Sequence, residues 1–248
     1  EGGPTTTEGL AVGMQYTTEY TSTVHGVTQS LWRHLGYFSS DKAIFGYAYN
    51  CPQPVGDVFL GVDAVIDREA TPGLSYVGPS ALEGYNVYAC ENRLPFAWGA
   101  ADGATGSVVW SEDNAKPFAN QLAVLHDATQ ANVRDVYTNA TVELSPVDDA
   151  ASNVRAVNVT CNQSGPLYLN LPKVFYATEN GHFQTTSNIY VDGRRLQEFG
   201  FNFDNNVMYA GTYEAGQTVE VKLELGDNFA YAAMRWREPR ELRDTTNP

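Results

Sequence analysis

The sequence predicts an α+β fold, mainly β, in which a small mixed α/β N-terminal domain is followed by an antiparallel β-sandwich. Three observations predict it. Apolar residues recur at helical spacing in two segments, near residues 24–35 and 117–128. From Thr141 onward the period shortens to two, and turn signals such as Asp192-Gly193 interrupt it at short intervals. Two helices among several short strands fit a layered α+β arrangement better than a parallel βαβ array. The pattern changes near Pro146. The chain accordingly divides into a linker at 1–9, a mixed α+β domain at 10–140, a jelly-roll-like sandwich at 141–236 and a linker or tail at 237–248.

The opening stretch EGGPTTTEG has the Gly, Pro and Thr content of a linker. Val24, Val27, Leu31 and Leu35 then fall on one helical face; Thr21, Ser22 or Thr23 can cap its start and Gly36 fits its stop. His25 and His34 ride on this helix as surface or packing residues, since no second ligand sits at metal spacing. Ala43 to Tyr49 is short and aromatic, a strand or packed loop in which Tyr47 and Tyr49 alternate. Within Asp57 to Arg68, the apolar residues Phe59-Leu60 and Val62 to Ile66 have the length of a buried strand. Tyr85-Asn86-Val87-Tyr88 is a second strand. Beyond Glu91-Asn92-Arg93, a return arm from Leu94 to Trp98 completes a hairpin-like unit, and Pro95 confines that arm to a sheet edge or bulge.

After the turn at Asp102 to Gly106 comes the brief apolar run Val108-Val109-Trp110. Pro117 suits the first turn of a second helix, with Phe118, Leu122 and Leu125 at spacings of four and three. Leu167, Leu169 and Leu171 alternate with Tyr168 and Asn170, and Val219, Val221, Leu223 and Leu225 with Glu220, Lys222 and Glu224. Each set turns its apolar members to one side of a sheet. Asn188 to Val191 meets Arg194 to Leu196 across Asp192-Gly193, a type I′ hairpin signal, and Ala215-Gly216-Gln217 makes another turn. Cys161 reads as a buried strand residue.

With 248 residues, 43% of them hydrophobic and 12% aromatic, the chain is long and apolar enough for one large or two smaller globular cores. A net charge of −14 and a pI near 4.5 argue against a nucleic-acid binder, which needs clustered Lys and Arg; Arg194-Arg195 is the only obvious internal pair. No stretch reaches the roughly 18 consecutive apolar residues of a membrane span and no signal peptide opens the chain, so composition by itself predicts a soluble protein. There is no G-x-S-x-G elbow, Gly-rich phosphate loop or H-E-x-x-H, which leaves serine-hydrolase, nucleotide-binding and zinc-peptidase chemistry without support. No catalytic residue, metal site or cofactor is predicted. The acidic pairs Asp148-Asp149 and Asp63 with Asp67 read as solvated surface rather than as a glycosidase pair. Matches to N-x-[ST] at Asn139, Asn158 and Asn162 are near chance for a Thr- and Asn-rich chain. Cys51 precedes the first of the two predicted strands and Cys90 follows the second. Neighbouring strand ends can bring them to the α-carbon spacing of about 5.5 Å that a disulfide needs. They form a candidate bridge in an oxidising exterior, and pairing is left open at this point.

Leu60-Gly61-Val62-Asp63-Ala64-Val65-Ile66, Gly84-Tyr85-Asn86-Val87-Tyr88, Glu91-Asn92-Arg93-Leu94-Pro95 and Asn114-Ala115-Lys116-Pro117-Phe118-Ala119-Asn120-Gln121 follow one another in order. That order resembles the extracytoplasmic region of the bacterial YfhO membrane protein family. The strand G-x-x-V-x-V-x-L-x-L at Gly216 to Leu225 is similar to the first sandwich repeat of that region. A second sandwich with an aromatic-Gly-Trp motif and a final span, expected downstream in the family, has no counterpart here. The resemblance implies a soluble piece from between membrane spans, on the extracellular face of the plasma membrane. Its parent would be a GT-C-type glycosyltransferase that moves sugar from a lipid-phosphate carrier to an envelope polymer such as lipoteichoic acid.

In that class the catalytic carboxylate comes from an early membrane-proximal loop, which this sequence lacks. The implied role is therefore non-catalytic, shaping the site or positioning the acceptor. Implied partners are the transmembrane region of the same polypeptide and an envelope glycan or lipid-linked sugar, with no nucleic acid and no soluble cofactor. Exposed aromatic residues would position a glycan by stacking, with Tyr47, Tyr49 and Trp98 as candidates, although for Tyr47 and Tyr49 ordinary core packing is the stronger reading. The alternative is a carbohydrate-binding or scaffold module without an enzymatic role.

Overall fold

Gly36 ends the first described helix, α1 (Gly26–Leu35), at a φ of 89°, a conformation that only glycine adopts without strain. The Gly36 amide reaches the Arg33 carbonyl at 3.0 Å and the Tyr37 amide reaches the Trp32 carbonyl at 3.1 Å, the paired bonds of a Schellman stop. These contacts belong to a computed structural model of the chain that describes residues 26–39, 47–49, 51–94, 99–106, 108, 110, 116–133, 135–144, 154–170, 176–178, 181–183, 187–199 and 207–225. The residues proposed to cap α1 and His25 lie outside them. The inward face of α1 is Leu31, Trp32 and Leu35, whereas Val27 is 71% exposed and does not belong to the apolar stripe expected of it.

Beyond α1, β1 (Phe38–Ser39) pairs antiparallel with β2 (Tyr47–Ala48), the described part of the expected Ala43 to Tyr49 strand. The segment expected to be one buried strand between Asp57 and Arg68 is instead a helix and a strand. α2 (Pro54–Leu60) starts with proline at its first turn and stops at Gly61, at a φ of 66°, before β3 (Ala64–Asp67). Seven residues are too few to display a helical period, so the apolar run reads as a strand. β4 (Leu74–Pro79) and β5 (Asn86–Cys90) complete an antiparallel sheet of order β3–β5–β4.

The Tyr85 to Tyr88 strand is therefore present, but its partners are the two upstream strands rather than a return arm. Residues 95–98 of that arm lie outside the described residues. β4 escaped the sequence reading because most of it is exposed and its register slips between Tyr76 and Gly78. α3 (Pro117–Thr129) forms where expected and ends at Gln130, at a φ of 54°.

After α3 every described element is a strand. β6 (Thr141–Leu144), β7 (Val154–Thr160), β11 (Ser187–Val191), β12 (Arg194–Phe199) and β14 (Thr218–Leu225) build an antiparallel sheet of order β12–β11–β14–β7–β6. β8 (Gly165–Asn170) and β13 (Val207–Tyr213) pair as a second sheet, and β9 (Tyr176–Thr178) with β10 (Gly181–Phe183) as a short hairpin. Val159, Ile189, Val191, Val219 and Val221 from the first sheet meet Leu167, Met208 and Ala210 from the second in one buried core, the arrangement of a sandwich. The hairpin at Asp192-Gly193 has φ of 48° and 76° at its two central residues, as a type I′ turn requires. Cys161 is buried in this core immediately after β7.

Candidate functional site

α3 turns a polar face inward. Its buried residues are Pro117, Asn120, Gln121, Val124 and Ala128, while Phe118, Leu122 and Leu125, the stripe read from the sequence, are only half-buried. The reason lies at the end of α1, whose last carbonyls have no partner within their own helix. Asn120 Nδ2 donates to the His34 carbonyl at 3.0 Å and Gln121 Nε2 to the Leu35 carbonyl at 2.7 Å. Gln121 Nε2 also donates to Gln53 Oε1 at 2.6 Å, and its own Oε1 accepts the Tyr137 hydroxyl at 2.6 Å.

Gln53 passes this network to Asp57, which is only 5% exposed. One carboxylate oxygen, Oδ1, accepts the Tyr37 hydroxyl at 2.6 Å; the other accepts the Tyr49 hydroxyl at 2.7 Å and the Gln53 amide at 3.0 Å. The Tyr37 and Tyr49 rings stack, with centroids 5.7 Å apart. Gly56 makes room for this, because a Cβ there would overlap the Tyr37 hydroxyl. Burial is the main influence on Asp57 and pushes its carboxyl up to about 6, while the Tyr37, Tyr49 and Gln53 donors pull the other way. Burial likewise pushes both tyrosines well above their ordinary range, so they stay protonated as donors.

The same cluster is where the two halves of the fold meet. Val207, the fully buried first residue of β13, donates its amide to the Gly36 carbonyl at 3.2 Å and accepts the Cys51 thiol on its own carbonyl at 3.2 Å. Burial, reinforced by Asp57, pushes the Cys51 thiol far up and keeps it a donor. On the surface, Arg194 of β12 lies 3.5 Å from Glu69 between β3 and β4, an exposed pair of small energetic weight.

Of the residues singled out from the sequence, Tyr49 is committed to Asp57 and stacked on Tyr37. The structure gives it a place in this packed cluster rather than on an exposed stacking surface. Tyr47 is described only as part of β2, and Trp98 lies outside the described residues. Cys51 and Cys90 are both free thiols, so the candidate bridge is not formed in this structure. Burial raises Cys90 to about 11. Asp63 is exposed and paired with Arg93. Among the described residues no group of three or more His, Cys, Asp or Glu converges as a metal site, and no helix is long and apolar enough to cross a membrane. Sequence reasoning missed Asp57, Gln53 and Gln121 altogether. The only available signal was an acid four residues after Gln53 in a stretch that also carried Pro54 and Gly61.

The raised Asp57 carboxyl fixes a pH dependence. Its folded value, about 6, lies above its ordinary value of 3.8. The native state therefore favours the protonated acid: the contribution is fully present below about pH 3.8 and is lost as pH rises through about 6. The stability of the wild type relative to Asp57→Asn, measured by urea denaturation, should fall by about 3 kcal/mol between pH 3.5 and pH 7.5. A difference that stays flat over that range contradicts the assignment.

No protein-family model, no curated protein and no solved structure matches this chain.

Proposed function

We propose that this chain is the water-exposed, non-catalytic region of a YfhO-like multi-spanning membrane protein, on the extracellular face of a bacterial plasma membrane. The parent would be a GT-C-type glycosyltransferase that decorates an envelope polymer from a lipid-linked sugar, and this region would shape its site or hold the acceptor. The observation that carries the non-catalytic part of the reading is the joint at Val207. There a strand of the sandwich is hydrogen-bonded to Gly36 and Cys51, next to a carboxylate that accepts hydrogen bonds from Tyr37, Tyr49 and the Gln53 amide. Side chains tied together in this way suit a rigid spacer better than a reacting centre. The ordered motifs from Leu60 to Gln121 support the family.

The experiment is fractionation of the native full-length gene product. The expected result is retention in the membrane pellet through an alkaline carbonate wash, with this region cut by protease added outside intact cells. Release of the native product into the soluble fraction would overturn the proposal. A second reading, a scaffold for a partner protein, is favoured by one feature: Ile66, Tyr76 and Val77 of the three-stranded sheet are 40%, 63% and 63% exposed.

A further inference from the structure

A cavity of about 70 Å³ opens beside Asp57, lined among others by Pro52, Pro54, Pro72, Cys90 and Asn92. Pro54, Pro72 and Asn92 are exposed at its rim, and Asp57 is buried in its wall. Buried carboxylates are ordinarily paired with a cation, bound to a metal or held neutral. Asp57 has three hydrogen-bond donors, two from tyrosines and one from an amide, none of which carries a charge. Among the described residues no Lys or Arg acts on it. A carboxylate has roughly four acceptor positions, so these three donors leave about one unused, and Asp57 lines the cavity.

We propose that this cavity binds a small primary ammonium group, free or at the end of an alkyl chain, with the Asp57 carboxylate as its counter-charge. The lining favours that chemistry over a metal ion. A hard divalent cation takes six to eight oxygen ligands, and the wall offers one carboxylate, one amide side chain and a thiol among prolines. An ammonium group needs one acceptor of opposite charge, and its methylene neighbours lie well against proline rings. The space is small beside the roughly 300 Å³ or more of pockets that hold drug-sized ligands, which restricts the occupant to a headgroup. The chain's net charge of −14 draws cations toward the rim.

The titratable groups around Asp57 are Tyr37 from the segment after α1, Tyr49 after β2, Cys51, Cys90, Tyr137 after α3 and Tyr168 of β8. Burial holds all six in their neutral forms near neutral pH, so the carboxyl alone titrates there. Binding should therefore weaken about tenfold from pH 7.5 to pH 5, as the acid with its value near 6 becomes protonated.

The test is titration of the purified wild-type chain, labelled with carbon-13 in its aspartate side chains, with methylammonium chloride at constant ionic strength. The expected result is a saturable shift of the Asp57 carboxyl resonance at pH 7.5, weaker at pH 5 and not reproduced by tetramethylammonium, which has no N–H to donate. An Asp57→Asn variant should lose the methylammonium-dependent rise in melting temperature seen in the wild type. Absence of a saturable shift in the wild type, or an equal shift with tetramethylammonium, overturns the proposal whether or not the variant folds. Neither result bears on whether the parent is a membrane transferase.

Discussion

Replacing Gln121 with Leu should lower folding stability by about 3–5 kcal/mol in urea denaturation, the largest effect expected of any substitution on α3. The side chains have similar size, so the loss is polar. Three hydrogen bonds disappear at once, to the Leu35 carbonyl, to Gln53 Oε1 and from the Tyr137 hydroxyl. Tyr137 is half-buried and can turn to water, but Gln53 is 1% exposed and Leu35 is fully buried. Each acceptor left dry costs about 1–3 kcal/mol, which outweighs the small gain from burying an apolar side chain in place of an amide. A loss below about 1 kcal/mol would mean that the network contributes little and that the apolar cluster around Trp32 and Leu35 holds the layer alone.

Gly36→Ala should cost about 3–4 kcal/mol, by two independent routes. A residue with a Cβ at a φ of 89° pays about 1–2 kcal/mol in backbone strain. The added carbon would also lie 2.6 Å from Val207 Cγ2 and 2.7 Å from Pro117 Cβ, and such overpacking costs about 1–3 kcal/mol more. Gly193→Ala separates the two contributions. Its φ is 76°, but nothing lies within 4 Å of the new carbon, so it should cost about 1–2 kcal/mol. Equal losses in the two variants would show that the contact of α1 and α3 with β13 is slack.

These two residues also mark the boundary of what the sequence made legible. The sandwich half follows from period-two alternation and from Asp192-Gly193, because turn chemistry and one-sided burial are both local signals. The stop at Gly36 and the start at Pro117 were readable for the same reason. The face of α3 was not. Asn120 and Gln121 point inward because the carbonyls they satisfy belong to a helix about 86 positions earlier in the chain, at His34 and Leu35. Hydrophobic patterning assigns such residues to solvent.

Asp57 was hidden similarly. In a chain with 29 acidic residues one more carboxylate carries no signal, and its helix is a single short stretch whose apolar residues read as a strand. The donors that make Asp57 distinctive are Tyr37 and Tyr49, and the alternation of Tyr49 with Tyr47, which fits core packing, gives no sign that its hydroxyl meets a buried carboxylate. β4 was missed because its half-paired, largely exposed strand carries no apolar alternation.

The polar cluster around Asp57 and the clamp on Val207 join the helical layer and the sandwich into one cooperative unit. Native-state hydrogen exchange at the Val207 amide tests it most directly, read beside the amides of Tyr37 and Cys161, which bond to Trp32 and Gln217 on either side of the joint. All three should exchange with the same opening free energy, equal to that of global unfolding, and Gly36→Ala should split Val207 away from Cys161. If the wild-type Val207 amide exchanges orders of magnitude faster than Cys161, the two halves open separately and the joint does not hold them together.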